Sequence, residues 1–122
     1  MTVRRPAAAT VAIVAALSAF GLLAAGCGGG AGAQGGQACQ YVHSSISLYS
    51  TSVQAGRAGD STKARKDASS ALTDLRLALP LAAQASGSDG DWQPLMATLS
   101  ESNRVPERNL IPALTAQCAG IS

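Results

Sequence analysis

Residues 39–53 read Cys39-Gln40-Tyr41-Val42-His43-Ser44-Ser45-Ile46-Ser47-Leu48-Tyr49-Ser50-Thr51-Ser52-Val53. Cys39, Val42, Ile46, Tyr49 and Val53 recur at alternating steps of three and four, which puts them on one stripe of a helix. The other faces carry Ser, Thr and Gln. These side chains are uncharged, and Ser and Thr are only middling helix formers, so packing has to hold this helix rather than intrinsic propensity. Gly56 and Gly59 end the segment.

Past that turn, Asp60, Ser61 or Thr62 can cap a second helix by accepting from free backbone N–H groups. Lys63, Arg65 and Lys66 follow in its first turns, the wrong sign for the helix dipole. Ala64, Ala68, Ala71/Leu72, Leu75, Leu79 and Ala82 form its stripe. Beyond Leu75, Leu77 and Leu81 add apolar surface on other faces, which marks this end as the more buried one. Pro80 cannot donate to the Arg76 carbonyl and predicts a kink, since residues 81–84 still read as helix. Gly87, Ser88 and Gly90 form a turn. Asp91 is the expected N-cap of a short third helix, with Pro94 in the first turn and Trp92, Leu95, Met96 and Leu99 on one face. Residues 103–106 break it. A last helix carries Leu110, Ile111, Leu114 and Cys118, and Pro112 marks its start or a bend. Four helices joined by short turns predict an all-α, up-down-up-down bundle over residues 38–122.

Working back from the bundle, residues 28–37 contain Gly, Ala and Gln without charge or any sizeable apolar side chain. Such a stretch reads as a flexible tether, because it buries too little to offset its ordering entropy. Residues 1–26 have another anatomy. Arg4 and Arg5 precede an uncharged run from Pro6 to Ala25 that is rich in Ala, Val, Ile and Leu. This is the layout of a secretory signal peptide. A run of this length would also span a bilayer, but it is mostly alanine, contains Gly21 and lacks a basic stop-transfer flank.

The run ends Leu22-Leu23-Ala24-Ala25-Gly26-Cys27. Ala24-Ala25-Gly26-Cys27 resembles the lipobox of bacterial lipoproteins, with Ala24 where that family more often carries Leu. The resemblance implies cleavage before Cys27, a diacylglycerol on its thiol, a fatty acyl group such as palmitate on the new amine, and anchoring to the extracytoplasmic face of the cell membrane. A single acyl chain holds a protein to a membrane only reversibly, and a second makes the attachment stable. With Cys27 assigned to lipid, Cys39 and Cys118 remain. In an oxidising compartment the two would pair. They lie at the start of the first helix and the end of the last, which share an end of an antiparallel bundle when the helix count is even. A bridge therefore fits four segments, or three with the last folded back at its prolines.

Composition sets several function classes aside. Arg4 and Arg5 account for the whole formal charge of +2, so the remainder is balanced and gives no case for nucleic acid. His43 is the single histidine, and no Gly-x-Ser-x-Gly elbow is present. Asp89 and Asp91 read as turn and cap residues rather than an acid–base pair. No Gly-rich phosphate loop occurs, and no cofactor is called for. The sharper alternatives are carriers. Cys39, His43 and Cys118 would form a zinc or copper set if the sulfurs were thiolates. An early cysteine and the tail Leu114-Thr115-Ala116-Gln117-Cys118 also resemble, in topology, small secreted haemophore-like helical proteins. That likeness implies haem ligation by Tyr41, His43 or Tyr49, although Tyr41, Tyr49 and Trp92 are the only aromatics past Cys27. The reading reached from sequence is a lipid-anchored, non-catalytic binding or structural module whose partner, an envelope protein or a small ligand, the residues do not name.

Overall fold

In a computed structural model, residues 30–121 are described; residues 1–29 and Ser122 are not, so the signal-peptide and Cys27 readings lie outside the described residues. Four α-helices follow one another: α1 (Gly30–Arg57), α2 (Ser61–Ser88), α3 (Gln93–Ser100) and α4 (Glu107–Gln117). Short 3₁₀ turns, Gly90–Trp92 and Glu101–Asn103, lead into and out of α3. No strand occurs among the described residues. The expected small helical bundle is the fold.

The first two helices form a long antiparallel hairpin. Hydrogen bonds link Gln34 to Gln84, Ser44 to Asp74, and Ser45 to the Ala71 carbonyl, so pairing runs in one register along the hairpin. Its turn is made by Gly59, whose φ of 83° suits a residue without Cβ. Asp60 then caps α2 by accepting from Lys63 N at 3.0 Å.

The buried face of α1 is rotated from the expected stripe. Gly35, Ala38, Cys39, Val42, Ser45, Ser52 and Ala55 are buried, whereas Ile46, Tyr49 and Val53 are only half-buried. The opposing helix buries Ala71, Leu75, Ala78, Ala82 and Ala85. Small side chains on both helices let the backbones come close. The buried serines satisfy themselves on backbone carbonyls: Ser45 donates to Ala71 O at 2.7 Å and Ser52 to Tyr49 O at 2.7 Å. Such pairing removes the penalty that argues against hydroxyls in a seam.

A second correction concerns residues 28–37. From Gly30 on, this expected tether is helix, not coil. Gly35 is buried beneath the Trp92 indole, so close that a Cβ there would run into the ring. The Gln34 side chain donates to Gln84 Oε1 at 2.7 Å. Contacts from α2 and the Gly90–Trp92 turn therefore order residues with poor helix propensity of their own.

Helix α2 continues through Pro80 to Ser88. Asp89, not Asp91, is the capping acid: its Oδ1 accepts from Asp91 N at 3.0 Å and starts the 3₁₀ turn. Helix α4 begins at Glu107 and runs through Pro112. At 8 and 11 residues, α3 and α4 are far shorter than the 28-residue helices α1 and α2. They fold back as a small cover over one end of the hairpin. Leu95, Leu99, Leu110 and Leu114 pack there with Val42, Leu75, Ala78 and Ala82. Each such leucine contributes about 2 kcal/mol by leaving water. Toward the Gly59 turn, residues 56–66 are exposed apart from half-buried Ala64.

Cys39 and Cys118 form a disulfide with Cα atoms 5.4 Å apart, tying the end of α4 to the first half of α1. The sequence separation is 79 residues. Loop-closure entropy for that span corresponds to about 4 kcal/mol. Denaturant unfolding with and without reductant should show a loss of about that size, and Cys39→Ala/Cys118→Ala should behave like the reduced protein. Gly35→Ala improves helix propensity yet overfills the space under Trp92, so a net loss of about 1–2 kcal/mol is expected, with a shift in Trp92 fluorescence.

Candidate polar cleft at Glu107

Glu107 opens α4 immediately after Pro106, which turns the chain toward the hairpin. Its spacing to Leu110, Leu114 and Cys118 puts it on the face that packs inward. Only 6% of the residue is exposed. It meets the hairpin where Ser45 of α1 approaches Ala71 of α2.

The Ser45 hydroxyl has a single proton and two acceptors nearby, Ala71 O at 2.7 Å and Glu107 Oε2 at 3.2 Å. Given to the closer acceptor, the Ser45 proton leaves an oxygen facing an oxygen. A proton on Glu107 resolves this, because the acid then donates to Ser45 Oγ and the chain of bonds closes. The electrostatics agree. Burial pushes the Glu107 carboxyl from 4.5 up to about 7; the Ser45 contact opposes this, and the negative charge of Asp74 adds to it. Asp74 is held in place by the Ser44 hydroxyl, which donates at 2.6 Å.

The second oxygen, Glu107 Oε1, is shielded from water and has no partner. A cavity of about 330 Å3 lies beside this residue, lined by Tyr49, Ala68, Leu72, Val105, Pro106 and Glu107. Arg104 stands at its edge, with Nη2 donating to both oxygens of Glu101 at 2.7 and 2.8 Å. Ser102 and Asn103 also line it, so the arrangement is a cleft with apolar walls at Ala68, Leu72, Val105 and Pro106, a polar stretch at residues 102–104 and one buried acid, a common form of small-molecule site.

The residues expected from sequence to carry sites are placed apart. His43 Nε2 lies 2.8 Å from Ile121 O and fastens the tail of the chain to α1. The sulfurs of Cys39 and Cys118 are bonded to each other and so are not thiolate ligands, which corrects the zinc or copper set. No group of three or more His, Cys, Asp or Glu side chains among the described residues is arranged to hold a metal ion. Tyr41 lines a different cavity, with Gln40, Ser44, Asp74 and Leu81. Tyr41 and Tyr49 thus line separate cavities, and His43 is bonded to the chain's tail. Glu107 and Ser45 were not anticipated, although the step from Glu107 to Leu110 and Leu114 already carried the signal.

Against family models, curated proteins and solved structures, the chain has no match.

The raised Glu107 pKa predicts a pH-dependent stability. Between 4.5 and about 7 the folded protein keeps a proton that the unfolded chain has released. Stability is therefore greatest below the unfolded value and is lost as pH rises through the folded one, by an amount on the order of 3 kcal/mol. Urea unfolding at pH 5 and pH 8 should show this fall, and Glu107→Gln should flatten it while keeping the side chain's shape.

Proposed function

We propose that the protein is a lipid-anchored, non-catalytic binding module on the extracytoplasmic face of the cell membrane, and that the cleft at Glu107 is where it takes a small ligand. The observation that carries the compartment is the Cys39–Cys118 disulfide. A bond that closes the bundle is at home outside the reducing cytoplasm, which is where a signal peptide ending in a lipobox-like Ala24-Ala25-Gly26-Cys27 would deliver it. Pairing Cys39 with Cys118 also leaves Cys27 as the one cysteine for acylation. No described helix is long and apolar enough to cross a membrane; in this reading the acylated Cys27 makes the attachment.

Only Gly28 and Gly29 separate Cys27 from the start of α1. With Cys27 acylated, the tether is far shorter than the ten-residue coil expected from composition.

The binding role rests on the cleft: apolar walls, one enclosed acid and an acceptor atom without a partner. A catalytic role would need a nucleophile beside a base and open to substrate; the single histidine is engaged by the Ile121 carbonyl, and Ser45, the hydroxyl beside Glu107, is fully buried and donates to the Ala71 carbonyl.

In the native host, Cys27→Ser should abolish incorporation of a palmitate analogue and move the protein from the membrane to the soluble or medium fraction. Labelling and fractionation equal to wild type would refute the anchoring.

A further inference from the structure

The chemistry of a ligand for the Glu107 cleft can be argued from the charges and donors around it. On the polar side, Glu107 Oε1 is an acceptor that meets no donor from the protein. Asp74 is close enough for its negative charge to act on Glu107. The cation at the edge, Arg104, is engaged by Glu101 through Nη2. Ser45 and the Ala71 carbonyl complete each other. Around Glu107, then, α1 offers the neutral Ser45 and Tyr49, the 101–107 segment offers neutral Ser102 and Asn103 and the exposed Arg104 paired with Glu101, and Asp74 of α2, on the neighbouring cavity, acts on Glu107 only through its charge. No cation faces the carboxyl from inside the cleft, so a positive charge suits it better than a carboxylate or phosphate.

On the apolar side, Ala68, Leu72, Val105 and Pro106 form the walls, with Tyr49 beside them. An aromatic ring adds to the attraction for an ammonium group, since its face carries partial negative charge. The last torsion of a glutamate side chain is soft. A turn of the carboxylate, which gives up the Oε2 contact with Ser45, would bring Oε1 toward the cavity that the same residue lines.

We infer that this cleft binds a small organic ammonium ion, its alkyl body against Leu72, Val105 and Pro106 and its N–H donating to Glu107 Oε1. The inference deepens the proposed binding role and rests on it. A primary ammonium supplies what the site lacks: a donor for the orphaned oxygen and a charge that offsets ionised Glu107. Binding then favours the ionised acid, and Glu107 gives its proton to solvent as the ligand enters. Ligand affinity is thereby tied to pH through the same residue that holds α4 against the hairpin.

The test is calorimetric titration of the full chain in lipid nanodiscs, with empty discs subtracted, using n-butylammonium, n-butanol and butyrate as probes. Butylammonium should bind more tightly than butanol, and butyrate should bind least. Butylammonium affinity should rise about tenfold or more between pH 5.5 and pH 8, following the ionisation of Glu107. In buffers of different ionisation heat at pH 7, about half a proton should be released per ligand. Glu107→Gln, checked for an intact helical spectrum, should lose both the pH dependence and the preference for the ammonium. Equal binding of butylammonium and butanol, a flat pH profile, or an unchanged Glu107→Gln profile overturns the ammonium inference while leaving a binding cleft. Failure of all three probes to bind overturns the cleft as a small-ligand site, and the anchoring is judged separately by Cys27→Ser.

Discussion

The bond between Cys39 and Cys118 is the constraint on which the other contacts depend. It pins the last turn of α4 to α1 and thereby holds the whole α3–α4 cover over the hairpin. The cover has little else of comparable strength. Its fully or nearly buried large side chains are Leu95, Leu99, Leu110 and Leu114, and its two helices are 8 and 11 residues long. Helices that short are marginal by themselves, because nucleation costs more than a few hydrogen bonds return. With the ends joined, Leu114 and Leu110 cannot leave Val42 and Leu75 without opening the entire loop. The His43–Ile121 contact adds a polar clasp one turn further along α1, on the chain that follows Cys118.

Much of this was legible in the sequence, and the reasons for the misses are physical. Helix existence and number followed from periodicity; the cysteine pairing was expected from the two cysteines left once Cys27 was assigned to lipid, and an even helix count was compatible with it. The face of α1 did not. Counting large apolar residues favours Ile46, Tyr49 and Val53, but this seam is built from small ones. A hydroxyl that bonds to a carbonyl packs like a methyl group, so Ser45 and Ser52 belong to the buried face while reading as polar. Residues 30–37 were misread for a related cause. Glycine is judged by its entropy in the unfolded chain, whereas Gly35 earns its place by the room it leaves for Trp92. The tertiary contact overrides the local preference.

The cleft was hidden for another reason. Tyr49 entered the haem argument, but its neighbours at the cavity come from α2 and from the 102–107 segment, which reads only as a helix break. Nothing in local sequence brings these together; the hairpin register and the Pro106 turn do. Glu107 was legible one step short of function. Its place in the Leu110–Leu114–Cys118 stripe marks it as inward-facing, and an inward-facing carboxyl needs either a cation or a proton. Among its surroundings, Arg104 is engaged by Glu101, and the charge that acts on it is that of Asp74. The proton is what remains, and the hydrogen-bond geometry at Ser45 reaches the same answer without reference to titration.

Position and chemistry are coupled through that one side chain. Glu107 is the first residue of α4, and the disulfide immediately follows the helix's last. The helix is therefore held covalently at its C-terminal end and by a titratable contact at its N-terminal end. When Glu107 is neutral, it closes the Ser45–Ala71 chain and the N-terminal end is docked. When it is ionised with nothing to receive the charge, the docked end pays desolvation and faces Asp74. The disulfide confines any response to that end, beside the cleft, because the opposite end cannot separate. The covalent attachment does not respond to pH, whereas the contact at Glu107 does, so a change of one proton bears on the N-terminal attachment of α4 alone.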